Sequence, residues 1–269
     1  MKKEFTFGAI GGGFMGYAIV SGAIRSGFIP AEKIFVSDCN EQSLEKFRTL
    51  GCRTTTDNLA VADSSEYLLL SVKPQTFPAV AEGLKGADCE KVLSIMAGVE
   101  KSRIRALLPR VKGVCRAMPN LPCSIGSGMI AADVSDFSDE KDRAFFAGLF
   151  SSLGKYVFTE ESKMHAVTGI SGSGPAYVFL FIKSLIEAGK QQGLSQTEAE
   201  LLAVQTVAGG VDMYNHEKDT TDIDTLIARV CSKGGTTERA MQSFYNDDFE
   251  GSVARAVDAC ARRSAELSK

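Results

Sequence analysis

Histidine is nearly missing from this 269-residue chain: His165 and His216 are the only two. Neither has ligand-type neighbours at metal spacing, which argues against a zinc centre. CxxC pairs are missing as well. The seven cysteines, Cys39, Cys52, Cys89, Cys115, Cys123, Cys231 and Cys260, are scattered and odd in number, a pattern that fits reduced thiols in a cytoplasmic protein better than a disulfide framework. No basic cluster appears, and the net charge is -3. Without a cationic face to neutralise phosphates, nucleic acid is set aside as a partner.

A continuous apolar run is lacking too. Lys2 and Lys3 precede an uncharged stretch from Phe5 to Ile24, as in a signal peptide or membrane helix. However, Gly8, Gly11, Gly12, Gly13, Gly16 and Gly22 interrupt it, whereas a strand, a tight turn and a helix need several of these for geometry. Hydrophobic residues at 44% and charged residues at 23% describe a folded globular protein. Its length accommodates two domains.

What is present is an alternation. Short β-rich runs at Phe5 to Ile10, Ile34 to Ser37, Tyr67 to Val72, Val92 to Ile95, Val114 to Met118 and Met129 to Ala132 predict a parallel α/β sheet. Between them Phe14 to Ser26, Glu41 to Leu50 and Lys101 to Leu108 carry helical spacing. After Ser162 the alternation stops. Helices are expected over Pro175 to Gln192, Ser195 to Tyr214, Asp222 to Val230, Thr236 to Tyr245 and Phe249 to Leu267, with Pro175 in a first turn and Ser195 and Glu198 as a capping box. The fold class is therefore α/β, with a Rossmann-like domain over 1–160 and an all-helical domain over 161–269. Within the latter, Ala176 to Ile182 is apolar on every face and too short to span a bilayer. A central core helix and a subunit interface both explain it.

Gly11-Gly-Gly13-Phe14-Met15-Gly16 follows a predicted strand and opens a predicted helix, the setting in which GxGxxG binds a dinucleotide. Gly11 allows the tight turn, Gly13 the approach of the pyrophosphate, and Gly16 the packing of helix on strand, while the helix start offers amides and partial positive charge. Asp38 falls where an acidic side chain accepts the ribose 2'-hydroxyl, which favours NADH over NADPH. Lys33 or Arg53 folding over a 2'-phosphate would reverse that, and Asp38 turned outward would be an ordinary helix cap.

Hydroxyacid dehydrogenases of the lactate type need a proton-relaying histidine, and His165 and His216 lie outside the strand-end loops. Gly169-x-x-Gly172-x-Gly174 resembles the glycine signature of the β-hydroxyacid dehydrogenases, but the lysine and asparagine of that superfamily are here Val178 and Ile182. The turn survives without the chemistry for oxidising a hydroxyl.

Five further segments decide the reading: Val72-Lys-Pro74, Met96-Ala-Gly-Val99, Arg116-Ala-Met-Pro-Asn120, Ile170-Ser-Gly-Ser-Gly-Pro-Ala-Tyr177 and Ser232-Lys-Gly-Gly-Thr-Thr237. With the glycine loop they resemble the pyrroline-5-carboxylate reductase family over essentially the whole chain. The resemblance implies hydride transfer from NADPH or NADH to the C=N carbon of L-Δ1-pyrroline-5-carboxylate, giving L-proline. It also implies that Ser71, Val72, Lys73 and Pro74 lie along the dinucleotide, Asn58 near its adenosine end and Ala97 near the nicotinamide. Asn120, with the turn through Ser173, Gly174 and Pro175, walls the substrate. Gly234 and Gly235 let the backbone approach the substrate carboxylate, so that the amides of Gly235, Thr236 and Thr237 converge on it, and one threonine hydroxyl caps the helix. Thr237, the catalytic residue by this resemblance, hydrogen-bonds the ring nitrogen. An imine arrives already protonated, so positioning and electrostatics replace a strong general acid.

The family also implies interlocked homodimers that assemble into decamers, which favours the interface reading of the Ala176 to Ile182 helix. Phe14, Leu121 and Lys233 depart from the asparagine or glutamine, threonine and proline frequent in relatives. The acidic segment Asp219 to Asp224 replaces one that contains His-Pro. A reductase for a six-membered cyclic imine and a non-enzymatic dinucleotide-binding paralogue are the alternatives.

Overall fold

The computed structural model describes residues 3–268; Lys2 of the opening lysine pair lies outside them. In chain order come β1 (Phe5–Ile10), α1 (Phe14–Arg25), β2 (Ile34–Ser37), α2 (Glu41–Thr49), β3 (Arg53–Thr55), α3 (Asn58–Ser64), β4 (Ser65–Leu70), α4 (Phe77–Gly83), β5 (Lys91–Ser94), α5 (Lys101–Leu107) and β6 (Gly113–Met118). They are followed by β7 (Gly128–Asp133), α6 (Glu140–Ser151), β8 (Gly154–Phe158), α7 (Met164–Val167) and a π-helical turn, Thr168–Gly172. Helices α8 (Gly174–Gln191), α9 (Gln196–Glu217), α10 (Ile223–Val230), α11 (Thr236–Asn246) and α12 (Phe249–Glu266) complete the chain.

The eight strands form one sheet in the order β3-β2-β1-β4-β5-β6-β7-β8. The sheet is parallel, as expected, except at one pairing: β7 runs antiparallel to β6. The reason lies in the connection. Between Met118 and Gly128 the chain makes only a short 3-10 turn, Leu121–Ile125, and a parallel return needs a crossover of a dozen or more residues. Helix α6 then supplies such a crossover, and β8 lies parallel to β7.

Alternation along the inner strands feeds two cores. Phe7, Ala9, Tyr67 and Leu69 pack with Ile19, Val20, Phe47, Phe146 and Phe150 of α1, α2 and α6, while Phe5, Ile10, Leu68 and Leu70 pack with Val61, Phe77, Ala81 and Ile104 of α3, α4 and α5. A buried ionic cluster ties α5 to β7: Lys101 Nζ donates to Asp133 at 2.9 Å and Asp136 at 2.9 Å. The Asp133 carboxylate also accepts the Glu161 amide at 2.6 Å, and Glu161 pairs with Arg116 at 2.9 Å.

The chain divides into two compact units, one running to Ser173 and resuming at Asp258, the other Gly174–Val257. The sequence reading expects one boundary at 160/161, whereas contacts divide the chain at 173/174 and again at 257/258. In the second unit Ser195 and Glu198 form the expected capping box, and Asp222, from the acidic segment, caps α10 by accepting the Thr225 amide at 2.8 Å. Its buried apolar residues are Ala199 and Ala203, whereas Leu180 is 64% and Leu201 69% exposed. Among the described residues one helical stretch, Glu161–Gln191, is long and apolar enough by length and composition to cross a bilayer. This is longer than the run from Ala176 to Ile182 because α7 and the π-helical turn continue it upstream; Lys183, Glu187 and Lys190 occupy its other end.

Candidate active site

The strand order reverses between β1 and β4, and the crevice outside the carboxyl ends of such strands is where doubly wound sheets take dinucleotides. The glycine loop lies at that point. Gly11 has φ +102°, and a Cβ there would stand 2.9 Å from the Ser71 backbone, so both conformation and proximity require glycine. A Cβ on Gly16 would meet the Gly11 carbonyl oxygen at 2.4 Å. Gly13 is different: nothing lies within 4 Å of its would-be Cβ, and no side chain caps the first turn of α1 that it precedes. Room and uncapped amides coincide, which fits a dinucleotide pyrophosphate. Phe14, the first residue of α1, is largely exposed, and Met15 is beside it.

Asp38 stands past the end of β2. It is neither a helix cap nor turned outward: one carboxylate oxygen accepts the Gly12 amide at 2.6 Å and the other the Asn40 amide at 2.7 Å, while Asn40 caps α2. Asp38 therefore fixes the glycine loop, and each oxygen keeps lone-pair capacity for a ribose hydroxyl. Lys33 donates to the Glu4 carbonyl at 3.4 Å, and Arg53 pairs with the Glu4 carboxylate at 3.1 Å over the rings of Phe5 and Phe35. Both thus meet the residue that precedes β1. Asn58 opens α3, its side-chain oxygen accepting from Ser37 at 2.7 Å.

The neighbouring strand ends add the remaining predicted groups. The Ser71 hydroxyl donates to the Gly11 carbonyl and its amide to Ile10 at 3.0 Å. Val72 is half-buried, Lys73 exposed, and Pro74 starts a 3-10 turn whose Thr76 amide donates to the Lys73 carbonyl at 2.9 Å. Ala97 is half-buried beside Gly98, which has φ +75°. Asn120, 9% exposed, has its amide committed at both ends: its nitrogen donates to the Ser171 carbonyl at 3.2 Å and its oxygen accepts the Met129 amide at 2.9 Å. It pins the π-helical turn, a conformation often found at functional sites, and Ser173 follows that turn directly.

In the second unit Gly234, with φ +73°, turns the chain into α11. The amide bookkeeping departs from expectation. The Gly235 amide donates to the Ser232 carbonyl at 2.9 Å, so it is not available for a carboxylate, and no threonine hydroxyl caps the helix. Glu238 instead reaches back and accepts the Gly234 amide at 2.7 Å. The first-turn amides of Thr236 and Thr237 remain at an uncapped helix start, where the helix dipole favours an anion. Gly174 and Pro175 form the first turn of α8.

A family model described as pyrroline-5-carboxylate reductase dimerisation matches residues 161–267, and one described as NADP oxidoreductase coenzyme F420-dependent matches residues 6–98. The pyrroline-5-carboxylate reductase of Haemophilus influenzae is 37% identical over 96% of this chain and 96% of that relative. The chain belongs to the pyrroline-5-carboxylate reductase family. The Synechocystis member is 38% identical, covering 97% of this chain and 98% of the relative. A crystal structure of the Plasmodium falciparum pyrroline carboxylate reductase with NADP bound superposes with a TM-score of 0.89 at 27% identity, covering 100% of each chain. The Coxiella burnetii family member gives 0.89 at 31% identity, again over 100% of each.

Set in that family, the residues that sequence reasoning missed are braces. Glu238 was signalled by its place three residues after Gly235, the capping-box spacing with glycine in place of serine. Ser37, which holds Asn58, gave no signal beyond ending a strand. The two histidines lie in helices α7 and α9 rather than in loops that directly follow strands.

Proposed function

We propose the following division of labour for the activity that family membership carries: NAD(P)H-dependent reduction of L-Δ1-pyrroline-5-carboxylate to L-proline, the last step of proline biosynthesis. In the 1–160 domain, the loop of Gly11, Gly13, Phe14, Met15 and Gly16 takes the pyrophosphate on the amides of α1. Asp38 and Asn58 serve the adenosine ribose, Ser71, Val72, Lys73 and Pro74 run along the dinucleotide, and Ala97 meets the nicotinamide. When bound, the dinucleotide supplies the hydride. Asn120 acts through the Ser171 carbonyl that it holds, setting the wall formed by Ser173, Gly174 and Pro175.

In the 161–269 domain, the turn at Gly234 and Gly235 aims the Thr236 and Thr237 amides at the substrate carboxylate, and the Thr237 hydroxyl orients the ring nitrogen. No strong acid is needed, because an iminium carries its proton in, and catalysis is positioning plus electrostatics. The observation that carries this reading is the turn itself: a positive-φ glycine leading into a helix start that no side chain caps.

Asp38 makes NADH the preferred cofactor, since a 2'-phosphate would meet its charge, and Lys33 and Arg53 are engaged with Glu4. The exposed apolar faces of α8 and α9, within a region matched as dimerisation, support an interlocked homodimer that assembles into a decamer. Seven free cysteines support a cytoplasmic setting.

The test is oxidation of NADH and NADPH, run in parallel with pyrroline-5-carboxylate and proline identified as product. Turnover that is faster with NADH is expected. Turnover on piperideine carboxylate alone would move the assignment to the six-membered ring, and dinucleotide binding without any imine turnover would overturn an enzymatic role.

A further inference from the structure

Helix α12 begins in the second unit, yet from Asp258 onward the chain packs with the first. Three residues on one face of its end, Cys260, Ser264 and Leu267, follow helical spacing i, i+4, i+7, and each touches a different element. The Cys260 thiol lies 3.2 Å from the Ser173 hydroxyl and 4.0 Å from the Thr168 carbonyl oxygen, at the two ends of the π-helical turn. Ser264, 7% exposed, meets His165 Nδ1 at 3.0 Å. The Leu267 carbonyl oxygen would stand 3.0 Å from a Cβ on Gly98, so the positive-φ glycine beside Ala97 lies directly under the end of the helix.

We propose that the end of α12 is a positioning brace that holds the Ser173 turn and the Ala97 loop in register, with Cys260 and Ser264 as positioning residues. The inference rests on the functional reading that puts Ser173 at the substrate and Ala97 at the nicotinamide. Asn120, just past β6, pins the π-helical turn through Ser171; Cys260 meets it at Thr168 and Ser173. The turn holds two glycines, Gly169 and Gly172, with Gly174 just after it, so its conformation depends on such external contacts. The same helical face reaches the Ala97 loop through backbone, which lets one rigid element align two loops that follow different strands.

The test uses the full chain with Cys260→Ala, Cys260→Ser, Ser264→Ala and, as a control, Arg262→Ala, whose exposed side chain pairs with Asp258 at 2.9 Å. Imine KM and kcat, NADH and NADPH Kd from reduced-nicotinamide fluorescence, and thermal midpoints are measured together. Cys260→Ala is expected to raise the imine KM about fivefold, the scale of one net hydrogen bond, with Cys260→Ser restoring it because its hydroxyl keeps the contact with Ser173. Ser264→Ala is expected to raise dinucleotide Kd about twofold to fivefold, on the same hydrogen-bond scale. Arg262→Ala changes nothing.

Unchanged KM in Cys260→Ala, or equal damage in Cys260→Ser, overturns the role of Cys260. Unchanged Kd in Ser264→Ala, with only a lowered thermal midpoint, reduces the helix end to a structural cap and overturns the brace. A wild-type chain that binds dinucleotide but turns over no imine would sink the functional reading, while the Kd comparison on Ser264→Ala still decides the brace.

Discussion

The two units of this chain bury their apolar residues in opposite ways. In the first, both faces of the sheet are covered, and Phe7, Phe47, Phe77, Phe146 and Phe150 are lost to solvent almost completely. In the second, two alanines are the buried apolar residues, and Val178, Phe179, Leu180 and Phe181 stand exposed along one helix. The difference teaches that helical periodicity specifies α8 to α12 but not what covers them. Since burying a large apolar side chain contributes roughly 1.5–3 kcal/mol, a row of uncovered ones, in a region that matches a dimerisation model, supports the proposed oligomer face.

The largest effect is expected where that face is charged. Leu180 lines an apolar groove of about 470 Å³ with Tyr177, Phe181, Val207, Phe249 and Val253. Leu180→Glu would put an unpaired carboxylate into the proposed interface and is expected to give a smaller species than the unaltered chain in sedimentation velocity, with dinucleotide affinity retained. An unchanged oligomer would break the contrast between the units. Next in size, Gly16→Ala drives a methyl group into the Gly11 carbonyl; a strained loop of this kind costs on the order of 1–3 kcal/mol. Dinucleotide binding should weaken about fivefold to 150-fold by that conversion, with the oligomeric state unchanged.

Asp38→Ser removes the charge opposed to a 2'-phosphate as well as the brace on Gly12. The NADPH to NADH preference is expected to rise about tenfold, the scale of one lost charge contact, and an unchanged ratio would remove the argument for NADH. The smallest effect concerns acid stability. Burial would raise the Asp133 carboxyl, but hydrogen bonds from Ser135 and Lys101 outweigh it and hold the group at about 2, below the ordinary 3.8. Its stabilisation is complete above the ordinary value and is lost as pH falls from 3.8 toward 2. Asp133→Asn should flatten that part of the melting-temperature profile; an identical acid limb would show that the cluster contributes nothing.

Much of the first unit was legible because glycine spacing and apolar alternation are local signals. Gly11 to Gly16 appeared between a strand and a helix, as read, and the five long helices start and stop within a few residues of their caps. The antiparallel direction of β7 was not legible, since it depends on the connection through Leu121–Ile125 rather than on Met129 to Ala132 themselves. β3 and β8 were missed because edge strands such as Arg53–Thr55 are short and half-polar. At the candidate site, glycine and threonine identities were readable, but not which amides the protein keeps for itself. The Gly235 amide goes to Ser232, and Glu238 takes that of Gly234, both set by three-dimensional turn geometry. Likewise nothing in the spacing of Cys260, Ser264 and Leu267 says which unit that helical face meets.

The most direct test of the account separates the two units by function. In Thr237→Ala, imine turnover and dinucleotide affinity are measured on the same preparation. Turnover is expected to fall about 10-fold to 100-fold, the scale of a hydrogen bond to a charged group, with NADH and NADPH affinity nearly unchanged. Equal loss of both, or full turnover without the hydroxyl, would contradict the assignment of the imine to the Gly234–Thr237 turn.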